Sequence, residues 1–297
     1  MQTWKIGNVE VTRIEESERT GSMGPDKFFT GFDRAIFESH YDWLLPRHYS
    51  REHDRLIISS HSWLVRVGKF TMLVDSCSGN HKYRPFNPAF HMLETPFIER
   101  LAAAGVTPEQ IDVVMCTHLH ADHVGWNTRL ENGRWVPTFP NARYVFTEEE
   151  NRFWQQQIAT VLKDNPGRRG VYEDSVLPVI ESGQARMLGP ESHHLADELR
   201  VEHAPGHTPG HIVLQIESNG ERALCCGDAI HHPIQLYQPD WNTSFCIDPV
   251  LARQTRRRLL DHCVDNDALL MPIHFATPFV TKVLRAGGAY RPDAGFV

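Results

Sequence analysis

The stretch His118-Leu119-His120-Ala121-Asp122-His123 decides how this sequence is interpreted, because it places three histidines and one aspartate within six residues. The apolar run at residues 111–117 comes directly before it and predicts a buried strand that ends at the motif. In an extended segment, residues i and i+2 point the same way, so the first two histidines are able to share one metal ion. Asp122 and His123 follow where the chain must turn, within reach of a second ion. Imidazole nitrogens and carboxylates are ligands that zinc prefers.

Three later segments offer further ligands of the same kind at predicted strand ends or in a tight turn. They are His207 within Pro205-Gly206-His207-Thr208-Pro209-Gly210-His211, Asp228 after the strand at residues 223–226, and His274 after the strand at residues 268–271. A carboxylate at a strand end can bridge two cations with one oxygen on each. The order and placement of these residues therefore predict a site for two metal ions.

These motifs resemble the successive motifs of the metallo-β-lactamase superfamily, and Asp75 at the end of Leu73-Val74-Asp75 resembles the strand-end aspartate that comes before them. The resemblance implies an α/β protein, an αβ/βα four-layer sandwich of two mixed β-sheets flanked by helices. It also implies two zinc ions as cofactors, with other divalent metals as the alternative. By position, the resemblance assigns His118, His120 and His207 to the first metal, Asp122, His123 and His274 to the second, and Asp228 to the bridge between them.

The same resemblance implies a hydrolase that uses a metal-bridging hydroxide, with Asp122 and Asp228 as its catalytic residues. The form Thr208-Pro209-Gly210-His211 and the long N-terminal segment look most like the branch of quorum-quenching lactonases and methyl parathion hydrolase. The expected reaction is therefore the cleavage of a lactone or a carboxylic ester. An organophosphate triesterase and a thioesterase of the glyoxalase II type are the alternatives. A purely structural zinc site is disfavoured, because such sites are closed and usually rich in cysteine.

Four further residues near these motifs have open roles. Asp75 either holds a ligand imidazole in one tautomer or is an ordinary strand-end carboxylate. His211 either supports the site or packs as the first residue of a strand. His231 and His232, just after Asp228, are not expected to be ligands, and one of them is a candidate for facing the substrate.

Length and composition predict one domain over residues 1–297, with no flexible linker and no repeat. Turns and short alternating runs predict two β-hairpins, one around Gly7-Asn8 and one around Gly68-Lys69. Helices are predicted at residues 96–105, after Thr147, and from Asp248 to about residue 261. Residues 15–53 lack a clear period, so we expect a loop segment there, which either covers the active site or seals an edge of the sandwich. Its aromatic residues are Phe28, Phe29, Phe32, Phe37, Tyr41 and Trp43.

Charge and cysteine content limit the partners and the compartment. The net charge of −7 is spread along the chain without a basic stripe, so nucleic acid is not an expected partner. A membrane span and a secretory signal are not expected either, because long apolar stretches are missing. The six cysteines form no C-x-x-C pair and are expected to be reduced, as in a cytoplasmic protein. The expected partner is a small-molecule substrate, and a homodimer is left open.

Overall fold

The strands form two large mixed sheets in the computed structural model, which describes residues 2–293 and 295. In chain order, the strands are β1 (Thr3–Ile6), β2 (Val9–Thr20), β3 (Phe29–Thr30), β4 (Tyr49–Ser50), β5 (Arg55–Val67), β6 (Phe70–Val74), β7 (Val113–Met115), β8 (Thr128–Glu131), β9 (Arg134–Pro137), β10 (Arg143–Thr147), β11 (Ala185–Leu188), β12 (His193–Ala196), β13 (Leu199–His203), β14 (Ile212–Ser218), β15 (Glu221–Cys225), β16 (Asn242–Thr243), β17 (Leu269–Met271), β18 (Thr281–Ala286) and β19 (Ala289–Pro292). The first sheet has the order β1-β2-β5-β6-β7-β10-β11, with β4 paired to β5. The second has the order β12-β13-β14-β15-β17-β18-β19.

The helices connect or follow these strands, and α4 to α9 pack against the outer faces of the two sheets. In chain order, they are α1 (Pro25–Phe28), α2 (Arg34–Glu38), α3 (Tyr41–Leu44), α4 (Phe97–Ala103), α5 (Glu148–Ala159), α6 (Pro166–Ser175), α7 (Leu177–Glu181), α8 (Ile234–Tyr237) and α9 (Pro249–Asp265), with 3₁₀ turns at Pro108–Gln110, Gly125–Asn127 and Gly227–Ala229. Two of the predicted helix starts are confirmed. The Thr147 side chain accepts a hydrogen bond from the Glu150 backbone, and Asp248 caps α9. Every helix in the described part of the chain is too short or too polar to cross a membrane.

Side chains that point alternately to the two faces of a strand form three apolar layers. In β5, Trp63 and Val65 lie in the core between the two sheets, while Leu64 lies in the core between the first sheet and its helices. In the second sheet, Leu214 faces the central core and Val213 faces the core beneath α9. Because successive side chains of a strand point to opposite faces, a strand buried on both faces needs apolar residues at both sets of positions. The predicted four-layer arrangement of helices, two sheets and helices is therefore confirmed.

Both predicted hairpins are also confirmed. The strand β1 pairs antiparallel with β2 around Gly7-Asn8, and β5 pairs antiparallel with β6 around Gly68-Lys69. The parallel pairs β6-β7 and β15-β17 lie in the middle of the two sheets. Because the carboxyl ends of parallel strands meet at one edge, each sheet brings its strand-end residues together there.

The expectation of a loop over residues 15–53 was wrong for residues 15–20, which continue β2 and pair with β5. These residues are mostly polar, and their strand shifts register between Glu15 and Ser17 and is only partly buried. The buried Glu16 carboxylate accepts hydrogen bonds from the backbone of Ser78 and Gly79 and from the Trp126 indole. The Glu16 carboxylate is thus satisfied by residues that are distant in sequence, and no local sequence pattern indicates these partners.

The remainder of this segment, residues 21–53, contains α1, α2, α3 and the two short strands β3 and β4. Most of its aromatic side chains pack in one apolar cluster with residues of the second half of the chain. The cluster consists of Phe29, Phe37, Leu44, Tyr49, Leu56, Ile234 and Trp241, with Phe28, Phe32, Tyr41 and Trp43 packed against it. These contacts hold the segment against α8 and β16.

Candidate metal centre

Six of the seven predicted ligands follow strands at one end of the sandwich, and the seventh, His207, lies in the turn between β13 and β14. The loop after β7 carries His118, His120, Asp122 and His123, whereas Asp228 follows β15 and His274 follows β17. Five of the seven side chains are buried, while those of His120 and Asp122 are partly exposed. The centre therefore opens to solvent on the side of these two residues.

The first group of donors consists of His118, His120, His207 and Asp228, whose ligand atoms all lie within 4.8 Å of one another. His120 Nδ1 lies 2.8 Å from His118 Nε2 and 3.0 Å from His207 Nε2. Asp228 Oδ2 lies 3.2 Å from His207 Nε2 and 3.6 Å from His118 Nε2. The three imidazoles therefore direct ring nitrogens at one common point beside a carboxylate.

The second group consists of Asp122, His123 and His274, and Asp228 joins it to the first. Asp228 Oδ1 lies 3.1 Å from His274 Nε2 and 3.2 Å from His123 Nε2. The Asp122 carboxylate oxygens lie 3.8 Å from these same two nitrogens. Each Asp228 oxygen thus faces a different group, which is the arrangement that a bridging carboxylate requires.

The donor chemistry of both groups fits divalent metal ions. Tetrahedral ligands about 2.0–2.1 Å from a zinc ion are about 3.3 Å from one another, close to the separations in both groups. Ring nitrogens this close repel each other when protonated, so they need a shared cation or shared protons between them. The structure brings all seven predicted residues together in the predicted two sets.

Burial keeps the first group in the form that binds metal. It lowers the pKa of His120 to about 3 and that of His207 to about 4, and it holds His118 well below its ordinary pKa. These imidazoles are therefore neutral near pH 7. Burial also acts to lower the pKa of His123, but the carboxylates around it, Asp228 first, raise it well above its ordinary value. Such a charge pattern favours a cation beside His123.

Asp75 orients the imidazole of a candidate ligand, which is the first of the two roles predicted for it. Its carboxylate lies 2.8 Å from His123 Nδ1, and it accepts hydrogen bonds from the Thr117 backbone and hydroxyl. A proton held on Nδ1 leaves Nε2 of His123 free to bind metal. The Thr117 bonds fix the residue directly before His118, so Asp75 supports both groups.

His211 contacts the bridging position through the backbone. Its Nε2 accepts a hydrogen bond of 3.1 Å from the Asp228 N–H. Gly227 leaves the room for this contact, because a Cβ there would lie 2.7 Å from His211 Nε2 and 2.8 Å from Thr117. His211 is thus a support of the centre rather than one of its grouped donors.

His231 lies closer to the centre than expected. Its Nε2 is 2.8 Å from Asp228 Oδ2, and its ring stacks on that of His274 with centroids 5.7 Å apart. By contrast, His232 points away and contacts the His48 carbonyl oxygen. The only signal in the sequence for His231 was its position three residues after Asp228, just beyond the 3₁₀ turn at Gly227–Ala229.

The cysteines are free thiols, and Cys225 and Cys226 are buried outside both donor groups. Burial raises the pKa of Cys225 and Cys226. Cys246 alone of the six is partly exposed, and its Sγ lies 3.8 Å from His207 Nδ1. The thiols of Cys225 and Cys226 therefore act as small apolar residues of the core.

Comparison with known families gives one match that covers most of the chain. The family model of the metallo-beta-lactamase superfamily matches residues 57–272. Hydroxyacylglutathione hydrolase of Aeromonas hydrophila subsp. hydrophila is 30% identical over 168 residues, which are 57% of this chain and 45% of that protein. The match therefore spans less than half the length of that relative.

Two solved structures resemble almost the whole chain. The dizinc quorum-quenching lactonase AidC, solved with a product, aligns with a TM-score of 0.80 at 21% identity and covers 99% of this chain and 97% of its own. The hydrolase AbOPH aligns with a TM-score of 0.78 at 23% identity and covers 98% of this chain and 95% of its own. At these identities the likeness concerns the fold.

Proposed function

The chain belongs to the metallo-β-lactamase superfamily, and from this premise we propose that it is a dinuclear zinc-dependent hydrolase that cleaves lactones or carboxylic esters. The observation that carries the proposal is the position of Asp228, with one oxygen facing each of two groups of donors. A closed structural site has four ligands around one ion and no open side. This centre has two sets of ligands and opens to solvent, as a catalytic site requires.

We assign His118, His120 and His207 to one ion, Asp122, His123 and His274 to the other, and Asp228 to both. When bound, two such ions supply a water nucleophile near neutral pH and polarise the oxygen of the scissile carbonyl. Asp122 is the partly exposed carboxylate of the set, so it is placed to accept a proton from an attacking water and to orient it. Burial of His118, His123, His207, Asp228 and His274 excludes bulk water from the other side of the centre.

The metal content tests the dinuclear assignment directly. Protein purified without chelator is expected to contain two zinc-like ions per chain, measured by elemental analysis. Removal of the ions with a chelator should abolish ester hydrolysis and leave the circular dichroism spectrum of a folded protein, since the core is built without them. A single ion in metal-saturated protein would contradict the dinuclear assignment. Occupancy by iron or manganese would change only the identity of the metal.

The substrate proposal rests on an apolar wall beside the centre. The Phe28 ring lies 6.0 Å from that of His231 and 5.7 Å from that of Phe245, which is 42% exposed. Ile247 is exposed as well, and its backbone N–H donates to the His207 carbonyl oxygen. Aromatic and aliphatic walls around a few polar groups suit the acyl or ring part of a neutral substrate. We accordingly propose that residues 21–30 of the N-terminal segment border the active site.

A panel of substrates separates the proposed reaction from its alternatives. Lactones, aryl esters, phosphotriesters and glutathione thioesters are compared by kcat/KM with zinc added. We expect lactones and carboxylic esters to be the best substrates. The relationship to hydroxyacylglutathione hydrolase favours a thioesterase as the second candidate. Highest activity on a thioester or a phosphotriester would overturn the proposed substrate class and leave the metal assignment standing.

Truncation of Phe28 tests the apolar wall. Phe28→Ala is expected to raise KM for esters with long acyl or aryl groups about tenfold, because about 1–3 kcal/mol of apolar contact is lost. KM for a short ester and the zinc content should stay the same. Phe32→Ala is the matched control, because Phe32 packs on Phe37 and Trp241 within the same segment. The two variants should differ in KM for apolar esters, and equal KM values would show that Phe28 serves packing alone.

A further inference from the structure

Glu150 is a buried carboxylate that contacts both loops of the first donor group. Its Oε1 accepts hydrogen bonds from the Leu119 backbone at 3.1 Å and from the Trp154 indole at 2.8 Å. Its Oε2 accepts one of 3.0 Å from the Gly210 backbone. Leu119 stands between His118 and His120, and Gly210 stands three residues after His207. One side chain of α5 is thus bonded to the two chain segments that carry three imidazoles.

The contacts around Glu150 are tight as well as polar. A Cβ on Gly210 would lie 2.3 Å from both the Glu150 backbone nitrogen and Thr147 Oγ1, so the turn packs directly on the first turn of α5. Thr147 Oγ1 also donates to the Gly210 carbonyl oxygen. The indole that Glu150 holds lies edge-on to His120, with ring centroids 5.4 Å apart. The first turn of α5 therefore fixes both loops and one of the imidazole rings.

A carboxylate fits this place better than an amide of the same shape. Its partners Leu119, Trp154 and Gly210 are N–H donors, so both oxygens must accept, and the Thr208 side chain also interacts with the carboxylate. Hydrogen bonds to a charged acceptor are stronger than neutral ones. Glutamine would offer one acceptor oxygen and direct an NH₂ group at one of the two backbone donors. That donor would stay buried without a partner, and its loop would shift to relieve the contact.

We propose that Glu150 is a positioning residue for the metal ion held by His118, His120 and His207, acting through the Leu119 and Gly210 backbones of their loops. None of its hydrogen bonds reaches the backbone beside Asp122, His123 or His274 in the described part of the chain. We therefore expect its effect to fall mainly on one of the two ions. The inference rests on the metal binding of the proposed function and adds a support for one half of it.

The test is a Co²⁺ titration of the metal-free protein, followed by visible absorption, which gives a dissociation constant for each of two ions. Glu150→Gln is expected to raise the dissociation constant of one ion about tenfold or more, as loss of a partner that orients ligands does. The dissociation constant of the other ion should stay within about twofold of the wild-type value. A His274→Ala background identifies the ion, because the second group then keeps only two of its three residues. The weakened ion should be the one that remains in that background.

Glu149→Gln is the matched control. Glu149 lies in the same first turn of α5 and is exposed, so its variant loses the same charge near the same helix terminus. Its two dissociation constants should equal those of the wild type. If Glu150→Gln does not fold, Glu150→Asp takes its place, since it keeps the charge but is too short to reach both loops.

The outcomes separate the two proposals. A folded Glu150 variant with both constants unchanged would overturn the positioning role, even if the variant melts at a lower temperature. An equal rise in the dissociation constants of both ions would overturn it too, because a general loss of stability acts on both groups of donors. A wild-type protein that binds fewer than two Co²⁺ ions would overturn the dinuclear assignment itself, and the inference about Glu150 with it.

Discussion

Replacing Asp228 with alanine is expected to lower kcat/KM by about three orders of magnitude or more, which corresponds to about 4 kcal/mol of transition-state stabilisation. Its Oδ1 faces His123 and His274, and its Oδ2 faces His118 and His207. The substitution therefore removes a ligand from both ions and a negative charge from among the imidazoles. The measurement is kcat/KM on the best ester of the substrate panel, together with the metal content of the purified variant.

His211→Ala is the comparison for this variant. His211 contacts the same residue, but only through the Asp228 backbone N–H. Loss of that single contact should cost far less activity and leave two ions bound. Equal losses of activity in the two variants would show that Asp228 does not bridge, and that the centre has been assigned wrongly.

The second large effect concerns stability and lies away from the centre. Asp174→Ala is expected to lower the free energy of unfolding by about 3–5 kcal/mol, because it leaves buried cations without their anion. Asp174 makes a two-bond pair with the buried Arg84, at 2.6 and 2.8 Å, and its Oδ1 lies 3.5 Å from the buried Lys82 Nζ. Burial lowers the pKa of Lys82 to about 7, so this residue can lose its proton. Urea denaturation of the metal-free protein measures the effect.

An exposed ion pair that also has two hydrogen bonds is the control for Asp174. Asp240 accepts two hydrogen bonds from Arg257, at 3.1 and 2.8 Å, but both side chains are partly in solvent. Asp240→Ala should change the free energy of unfolding by no more than about 1 kcal/mol, because water replaces the lost partner. A loss at Asp174 as small as that at Asp240 would show that Lys82 and Arg84 are solvated in the folded protein.

The fold could be predicted from the sequence because its signals are local. Apolar runs ending in a histidine or an aspartate marked β7, β15 and β17, and Gly7-Asn8 and Gly68-Lys69 marked two hairpins. The strands at residues 281–286 and 289–292 were not predicted, although they complete the second sheet. Lys282 and Arg285 interrupt their apolar pattern, since both lie near the surface and pair with acidic residues of neighbouring elements.

The sequence predicted the donors of the candidate centre and offered Asp75 and His211 as possible supports, but it did not indicate the buried glutamates Glu16 and Glu150. The seven donors occur in recognisable motifs, and the structure groups them in two sets. Glu16 and Glu150 lie in runs of acidic residues, Glu15-Glu16 and Glu148-Glu149-Glu150, that suggest solvated surface. One glutamate of each run is buried and meets its N–H partners from segments distant in sequence. Such pairings depend on the packed structure, so a single sequence does not reveal which glutamate is buried.

The division of the donors between the two sheets has a consequence for the lifetime of the protein. Four donors follow a strand of the first sheet, and three belong to the second. Ions bound there cross-link the two halves, so the halves can separate only after the ions have left. Mass action then adds about 2.7 kcal/mol to the free energy of unfolding for an ion at a hundred times its dissociation constant. Resistance to proteases should accordingly rise and fall with the concentration of free metal. A shortage of metal would then shorten the lifetime of the folded protein, and it would also remove the ions that the proposed hydrolysis needs.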